Sequence, residues 1–169
     1  MSQPPLPTFR YHPDPVATGS FEVARGPCPY CGVDRTYVYN GPVYAIVEPD
    51  PPCPRCIADG SFAARFDAEF TDAAPLANLD ADVIDEVTRR TPGYSGWQQE
   101  QWMTHCDDAA AFLGPVGYRE LLGHPQALEQ LTLDMGDDDV QRMSRGGSPT
   151  GYLFRCRHCG VELANWDVD

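Results

Sequence analysis

The sequence predicts one α+β domain that combines small β-hairpins with several helices, on three observations. The chain has 169 residues, of which 42% are hydrophobic and 11% aromatic, enough to bury a core. Aromatic and β-branched residues at 36–39 and 43–47 flank the turn sequence Asn40-Gly-Pro, which favours a hairpin. Apolar residues at helical spacing over 80–90, followed by Thr91-Pro-Gly, predict a helix that ends there.

The remaining elements follow from the same kinds of pattern. Phe62, Phe66 and Phe70 recur at every fourth position and would line one face of a helix over 58–70. The stretch 93–113 is rich in aromatic residues but has a poor period, so strand and helix both remain open there. The other assignments, in chain order, are helices over 118–122 and 126–133, an acidic turn over 134–139, and strands over 152–155 and 161–168.

Charge is concentrated in the middle of the chain. The net charge is -13, and all twelve basic residues are arginines. Residues 67–148 contain sixteen acidic residues against five arginines, which accounts for nearly all of the excess. Because such a surface repels phosphates and attracts cationic surfaces, we expect no nucleic-acid ligand and, if a partner exists, a basic protein.

The sequence also bears on the compartment. It contains no run of eighteen apolar residues, so we expect no membrane span, and the N-terminus lacks the apolar segment of a signal peptide. These features indicate a cytoplasmic protein. Since disulfides are rare in that compartment, clustered cysteines there indicate metal or redox sites.

Six of the seven cysteines fall into three Cys-x-x-Cys pairs, which are Cys28/Cys31, Cys53/Cys56 and Cys156/Cys159. Seven cysteines scattered at random would give roughly a quarter of one such pair, so the pattern is not accidental. Two intervening residues allow a tight turn to direct both sulfurs at one ion about 2.3 Å away. The pairs therefore predict zinc bound by thiolates.

The first two pairs predict a closed site. A knuckle at Cys28 and Cys31, then a hairpin, then Cys53 and Cys56 at the start of a helix resembles a treble clef or zinc ribbon. Four thiolates fill a tetrahedral zinc shell and leave no open position, which is typical of structural zinc. An iron–sulfur cluster is the main alternative for such a set of cysteines.

The third pair needs partners. Cys106 is the strongest candidate because it is the one cysteine of the sequence outside the pairs. His105 is weaker, since adjacent side chains usually point apart, and Asp107, Asp108 and His158 are further candidates. Alternatively, Cys28 and Cys31 share a metal with Cys156 and Cys159, which leaves Cys53 and Cys56 with His105 and Cys106. We expect one or two zinc ions per chain, with two favoured.

Further motifs are spread over nearly the whole chain. They are Leu6-Pro-Thr-Phe-Arg-Tyr-His-Pro-Asp-Pro, Cys53-Pro-Arg-Cys-Ile-Ala-Asp-Gly-Ser, Arg90-Thr-Pro-Gly-Tyr, Gly96-Trp-Gln-Gln-Glu-Gln-Trp, His105-Cys-Asp-Asp and Tyr152-Leu-Phe-Arg-Cys-Arg-His-Cys-Gly. Together they resemble the CbrC family, an uncharacterised bacterial family whose name is tied to tolerance of a nuclease colicin. The resemblance implies cysteine metal sites and a bacterial cytosol, and it draws attention to His105 and Cys106. It implies no reaction.

These observations favour a single domain over 1–169 with three parts. The parts are a treble-clef-like four-cysteine region over 28–70, an acidic helical insertion over 71–148 and a C-terminal zinc knuckle over 149–169. The favoured function is a non-catalytic, acidic interaction module of immunity or tolerance type that acts on a basic protein such as a nuclease toxin. The alternatives are a zinc enzyme with an open metal position at Cys106, Cys156 and Cys159, and a nucleic-acid-binding zinc ribbon.

Overall fold

The computed structural model describes residues 5–169. In this part of the chain the strands are β1 (Phe21–Val23), β2 (Tyr37–Tyr39), β3 (Thr104–His105), β4 (Asp108–Ala109), β5 (Ala111–Val116), β6 (Thr150–Arg155) and β7 (Glu162–Asp167). The helices are α1 (Pro54–Ala58), α2 (Ser61–Phe66), α3 (Ala81–Arg90), α4 (Tyr118–Leu121), α5 (Pro125–Met135) and α6 (Asp137–Arg142). Short antiparallel sheets and several helices make a mixed α+β protein, which confirms the predicted class at this level.

The first sheet corrects the predicted hairpin. Strand β2 pairs with β1, with Phe21 opposite Tyr39, and not with residues 43–47. Pro42 has no N–H to donate to a strand ladder, which disfavours a two-residue hairpin turn at Asn40-Gly-Pro. Beyond it, Tyr44 forms one isolated bridge with Glu69. The Asn-Gly signal therefore marks a turn, while the strand partner comes from upstream.

Within the predicted helix over 58–70, only α2 (Ser61–Phe66) and the last residue of α1, Ala58, are helical. Gly60 lies between α1 and α2 with a φ of 74°, a left-handed conformation that breaks the helical path. Asp67 ends α2 with a φ of 48°. The phenylalanine stripe is nevertheless buried, because the rings of Phe62 and Phe70 stack with centroids 5.8 Å apart. The apolar pattern thus identified the core correctly and overstated the length of one helix.

Helix α3 confirms the prediction over 80–90. It begins after Asp80 and ends at Arg90, and Thr91 and Pro92 then continue in a buried, non-helical segment. Arg89 and Arg90 in its last turn pair with Asp67 and Asp85 respectively. Cationic side chains at this end also favour the helix dipole.

The main sheet has the strand order β5-β6-β7, and all its pairs are antiparallel. It joins residues from the acidic middle segment to the C-terminal residues, because β5 lies beside β6. The undecided stretch 93–113 contributes the short β3–β4 pair and the start of β5. A buried aromatic cluster covers this sheet, made of Tyr94, Trp102, Phe112, Tyr152 and Phe154.

Helices α4, α5 and α6 pack against the sheet through Leu121, Leu131 and Val140, which are at most 1% exposed. The side chain of Gln130 in α5 bonds both the N–H and the C=O of Ala164 in β7. The predicted acidic turn over 134–139 is wrong in part, since Asp137–Arg142 is helix. Three aspartates at a helix start interact favourably with the dipole there, which explains why an acidic run is helical.

Over residues 5–169, none of the helices combines the length and the apolar character that crossing a membrane requires.

Candidate metal centres

The first candidate centre, site I, consists of Cys28, Cys31, Cys53 and Cys56, whose sulfur atoms all lie within 4.8 Å of one another. The Sγ atoms of Cys28 and Cys56 are 3.9 Å apart, those of Cys31 and Cys53 are 3.8 Å apart, and those of Cys53 and Cys56 are 3.6 Å apart. Sulfurs bound to one tetrahedral ion at about 2.3 Å are separated by similar distances. The four side chains therefore converge on one point.

A tight turn presents the first pair of sulfurs. The N–H of Cys28 donates to the carbonyl of Val33, and the N–H of Gly32 donates to the carbonyl of Cys28, each at 2.9 Å. Gly32 has a φ of 70°, which only glycine adopts easily, and it directs the chain back after Cys31. The sequence Cys-x-x-Cys-Gly thus specifies the knuckle locally.

A helix start presents the second pair. Cys53 is the N-cap residue of α1, and Pro54 occupies its first turn, where a missing N–H is harmless. Cys56 follows three residues later, so one helical turn brings both sulfurs to the same side. The cysteine pair at a helix start agrees with the prediction, but the Cys28/Cys31 knuckle lies between β1 and β2 and not ahead of a hairpin, so the expected order of knuckle, hairpin and helix is not observed.

Site I is part of a hydrophobic core. Cys28, Cys53 and Cys56 are 1%, 4% and 0% exposed, while Cys31 reaches the surface. Burial opposes the charge on Cys28, but backbone N–H groups at Tyr30, Cys31 and Cys53 lower the pKa of its thiol to about 7. Burial and the neighbouring sulfurs raise the pKa of Cys56. Without a cation the four sulfurs cannot all be thiolates, because the negative charges repel one another in a buried setting.

The second candidate centre, site II, consists of His105, Cys106, Cys156 and Cys159, whose donor atoms also lie within 4.8 Å of one another. Nδ1 of His105 is 3.1 Å from Sγ of Cys106 and 3.4 Å from Sγ of Cys159. Three sulfurs and one imidazole are a common set for tetrahedral zinc. Sequence reasoning ranked His105 below Cys106, yet the structure brings both to the C-terminal knuckle.

The two-residue turn between β3 and β4 places His105 and Cys106. Cys106 and Asp107 both have positive φ values, 54° and 55°, in the manner of a type I′ hairpin turn. Residues other than glycine, asparagine and aspartate rarely adopt this conformation, so the turn is strained at Cys106. Its effect is to return the Cys106 side chain towards the imidazole of its neighbour.

The C-terminal knuckle repeats the geometry of the first. The N–H of Cys156 donates to the carbonyl of Val161 at 2.8 Å, and the N–H of Gly160 donates to the carbonyl of Cys156 at 3.1 Å. Gly160 has a φ of 75°. Both knuckles read Cys-x-x-Cys-Gly-Val in the sequence, a repeat that marks them as equivalent turns.

Asp108 holds this knuckle against the rest of the protein. Its carboxylate accepts hydrogen bonds from the hydroxyl of Tyr11 at 2.7 Å and from Nη1 of Arg157 at 2.6 Å, and it lies 2.9 Å from Nε2 of His158. Burial acts against the charge, but these partners lower the pKa of Asp108 overall. Arg157 and His158 are the two residues between Cys156 and Cys159. Asp108 and His158, two further ligand candidates from the sequence, thus contact each other. Neither belongs to the tetrad of site II.

The structure places all eight predicted metal residues in two tetrads, with Cys28 and Cys31 beside Cys53 and Cys56, and with His105 and Cys106 beside Cys156 and Cys159. Cys28 and Cys31 do not meet Cys156 and Cys159, so the alternative pairing is wrong for this fold. The two sites differ in their surroundings. Site I has three buried residues, whereas His105, Cys106 and Cys159 of site II are exposed.

The fold and sites define a small α+β protein with two tetrads of cysteine and histidine, each of which could hold a metal ion. The chain belongs to the uncharacterised protein family UPF0167, whose family profile matches residues 6–168. UPF0167 proteins of Mycobacterium bovis and Mycobacterium tuberculosis are each 50% identical to it over 96% of this chain and 93% of their own length. A UPF0167 protein of Pseudomonas aeruginosa is 47% identical over 98% of both chains.

These matches confirm an uncharacterised bacterial family, as the resemblance implied, and they carry the designation UPF0167 rather than the CbrC name. No solved structure matches the chain.

Proposed function

We propose that this is a non-catalytic zinc protein, in which one zinc ion at each tetrad holds distant parts of the chain together. The observation that carries the proposal is that each tetrad supplies four converging donor atoms. Four protein donors complete the tetrahedral shell of zinc and leave no position for a reactive water. Thiolate and imidazole donors also suit zinc and not the hard cations calcium or magnesium.

The positions of the sites support a structural role. Site I joins the loop between β1 and β2 to the first turn of α1, where the chain has little regular structure. Site II joins the β3–β4 turn to the turn between β6 and β7. Zinc binding of this kind supplies roughly 10–16 kcal/mol at pH 7. This is comparable with the whole net stability of a domain, about 5–15 kcal/mol.

The same geometry bears on the zinc-enzyme alternative. An open metal position at Cys106, Cys156 and Cys159 requires that no fourth protein donor be within reach. Nδ1 of His105 lies within 3.4 Å of two of these sulfurs, which favours a closed shell. The donor set therefore supports structural zinc over catalytic zinc.

Metal analysis of the purified full-length protein tests this proposal. We expect two zinc ions per chain, no iron and no visible absorption, and loss of far-ultraviolet circular dichroism when a strong chelator removes both ions. Iron together with a visible absorption band would indicate an iron–sulfur cluster instead. Unchanged circular dichroism after verified removal of zinc would contradict the structural role.

A second candidate function is docking of a basic protein, such as a nuclease toxin, on the acidic face of α5 and α6. Glu129, Asp134 and Asp137–139 are all exposed there, and of these only Asp139 forms an ion pair in the described chain, with Arg142. Opposite charge speeds association and sets orientation. Calorimetric titration with a basic nuclease domain at low and high salt tests it. Salt-sensitive binding that Asp137→Asn with Asp138→Asn weakens is the expected result, and no binding at micromolar concentration would contradict it.

A further inference from the structure

A cavity of about 300 Å³ lies between the segment 94–101 and strand β7, and none of its lining residues belongs to site I or site II. Three of its nine lining residues are aromatic, and the other six are polar. The rings of Tyr94 and Tyr152 are buried with centroids 4.9 Å apart, while Trp166 is 38% exposed. A concave site with aromatic walls is the usual form of a small-molecule site.

Two carboxylates also line the cavity. Glu100 is 5% exposed and Asp167 is 9% exposed. No arginine or histidine is among the lining residues, and neither carboxylate forms an ion pair within the described residues 5–169. Buried charges in proteins are normally paired with an opposite charge. The cavity thus holds two carboxyl groups that no cationic side chain of the described residues pairs with.

The two carboxylates differ in how many hydrogen bonds they accept. Asp167 is fully engaged: Oδ1 accepts from the Tyr152 hydroxyl at 2.9 Å, and Oδ2 accepts from the N–H groups of Trp97 and Gln98 at 2.8 and 3.1 Å. Glu100 is engaged on one side, where Oε2 accepts from the Tyr44 hydroxyl at 2.6 Å. The backbone N–H of Glu100 itself also donates to this carboxylate, and within residues 5–169 no other residue donates to Oε1.

We infer that this cavity binds a small organic cation that carries N–H donors, an alkylammonium or a guanidinium group. The cation donates a hydrogen bond to Oε1 of Glu100, and its charge is stabilised by the aromatic rings and by nearby Asp167. Burial raises the pKa of Glu100, and a bound cation acts in the opposite direction by favouring the carboxylate. The net charge of -13 draws cations towards the protein in general.

The ligand has two possible sources, a free amine or guanidine and the side chain of a basic peptide. Both present the same cationic group to the cavity. The inference does not depend on metal binding at either tetrad. It can therefore fail or succeed separately from the proposed zinc sites.

Nuclear magnetic resonance titration of the full-length metal-loaded protein tests the inference at about 150 mM salt, where long-range charge effects are screened. The probes are ethylguanidinium, butylammonium, tetramethylammonium and neutral ethylurea. We expect the first two to shift the signals of the Tyr94 and Trp166 region in a saturable way. Ethylurea tests the need for charge, and tetramethylammonium tests the need for N–H donors.

Paired variants test the role of Glu100. Glu100→Gln keeps the shape and removes the charge, and should weaken ethylguanidinium binding about tenfold or more because a charge-assisted hydrogen bond is lost. Glu129→Gln removes one charge from the exposed face of α5 and should change binding by less than about twofold. Trp166→Ala, at an exposed position, should weaken binding without affecting folding.

An acetylated and amidated Gly-Arg-Gly peptide distinguishes the sources. Binding about tenfold tighter than that of ethylguanidinium supports a cavity that receives an arginine side chain, and equal or weaker binding supports a free ligand. Equal weakening by Glu100→Gln and Glu129→Gln would overturn the inference. So would equal affinity for ethylguanidinium, tetramethylammonium and ethylurea.

Discussion

Nδ1 of His105 lies 3.1 Å from Sγ of Cys106, although the two residues are neighbours in the chain. Neighbouring side chains in a strand point to opposite faces. Here Cys106 has a φ of 54°, so the chain turns immediately after His105 and the two side chains face each other. One tight turn therefore delivers two donor atoms to site II, and the C-terminal knuckle delivers the other two.

Replacement of Cys106 tests this turn as a metal ligand. In Cys106→Ser we expect the zinc content to fall from about two to about one per chain, because the hydroxyl is a poor substitute for a thiolate. Asp107→Asn is the matched control, since Asp107 has the same backbone conformation and lies outside the tetrad. Elemental analysis of both variants measures the zinc content per chain. Two zinc ions retained in Cys106→Ser would remove Cys106 from site II.

Asp108 should strengthen zinc binding at site II by fixing the orientation of the C-terminal knuckle. In Asp108→Asn the Tyr11, Arg157 and His158 partners lose a charged acceptor, so the orientation of Cys156 and Cys159 becomes less fixed. Supporting contacts of this kind typically change metal affinity by roughly 10–100-fold. Competition with a chromophoric chelator should show one zinc ion held more weakly by about that factor. Equal retention in Asp108→Asn and Asp107→Asn would show that Asp108 only stabilises the fold.

Burial of His12 should make the free energy of unfolding depend on pH. It is fully buried, Nδ1 donates to the carbonyl of Pro92, and Nε2 lies 2.7 Å from the hydroxyl oxygen of Thr18, which can donate to it when the ring is neutral. Burial lowers the pKa of His12 from 6.5 to about 4. Between these values the unfolded chain binds a proton that the folded chain does not. The free energy of unfolding should therefore fall as the pH drops through this range, by up to roughly 3 kcal/mol.

Urea unfolding of metal-loaded protein at several pH values between about 7 and about 4.5 measures this slope. His12→Gln lacks the titrating group, so its slope should be shallower than that of the wild type. The difference between the two proteins isolates His12, because acid-induced release of metal affects both. Parallel slopes would contradict the assignment.

Gly93 connects the region of site I to the main sheet. Its N–H donates to the Tyr39 hydroxyl at 3.1 Å, and its carbonyl accepts from the Ser20 hydroxyl at 2.8 Å. A Cβ at this position would collide with the backbone carbonyl of Phe70. Gly93→Ala should therefore lower the free energy of unfolding by about 1–3 kcal/mol.

Gly123→Ala is the control for Gly93→Ala, since a Cβ there meets its nearest neighbour at 3.4 Å, an ordinary contact. Its effect should stay within about 0.5 kcal/mol. Urea unfolding of both variants gives the comparison. A similar small effect in both would show that the chain at Gly93 can move aside.

Much of the cysteine geometry could be predicted from the sequence because it is local. Cys-x-x-Cys with a following glycine fixes a knuckle within six residues, and the pair at Cys53 requires only a helix start. The sequence could not exclude the alternative pairing, since the approach of the β3–β4 turn to the C-terminal knuckle depends on tertiary structure. The ranking of His105 was too low because positive φ at a cysteine and an aspartate is a product of tertiary structure.

In the fold, too, local features could be predicted and long-range contacts could not. Periodic segments such as those that became α3, α5 and β7 were predicted well, because a buried face leaves a regular pattern. The hairpin at Asn40-Gly-Pro was wrong, because the choice of a strand partner is made by contacts far apart in sequence. Strands β3 and β4 have two residues each, which is too short to show any period.

X-ray absorption at the zinc edge identifies the atoms that bind zinc in both tetrads. Filling both tetrads with zinc gives seven sulfur ligands and one nitrogen ligand for two ions. We expect a coordination shell dominated by zinc–sulfur distances of about 2.3 Å, with a minor nitrogen contribution at about 2.0–2.1 Å. In His105→Ala the nitrogen contribution should disappear, whereas in His158→Ala it should remain. A coordination shell dominated by oxygen or nitrogen, or one unaltered in His105→Ala, would exclude zinc bound by these two tetrads.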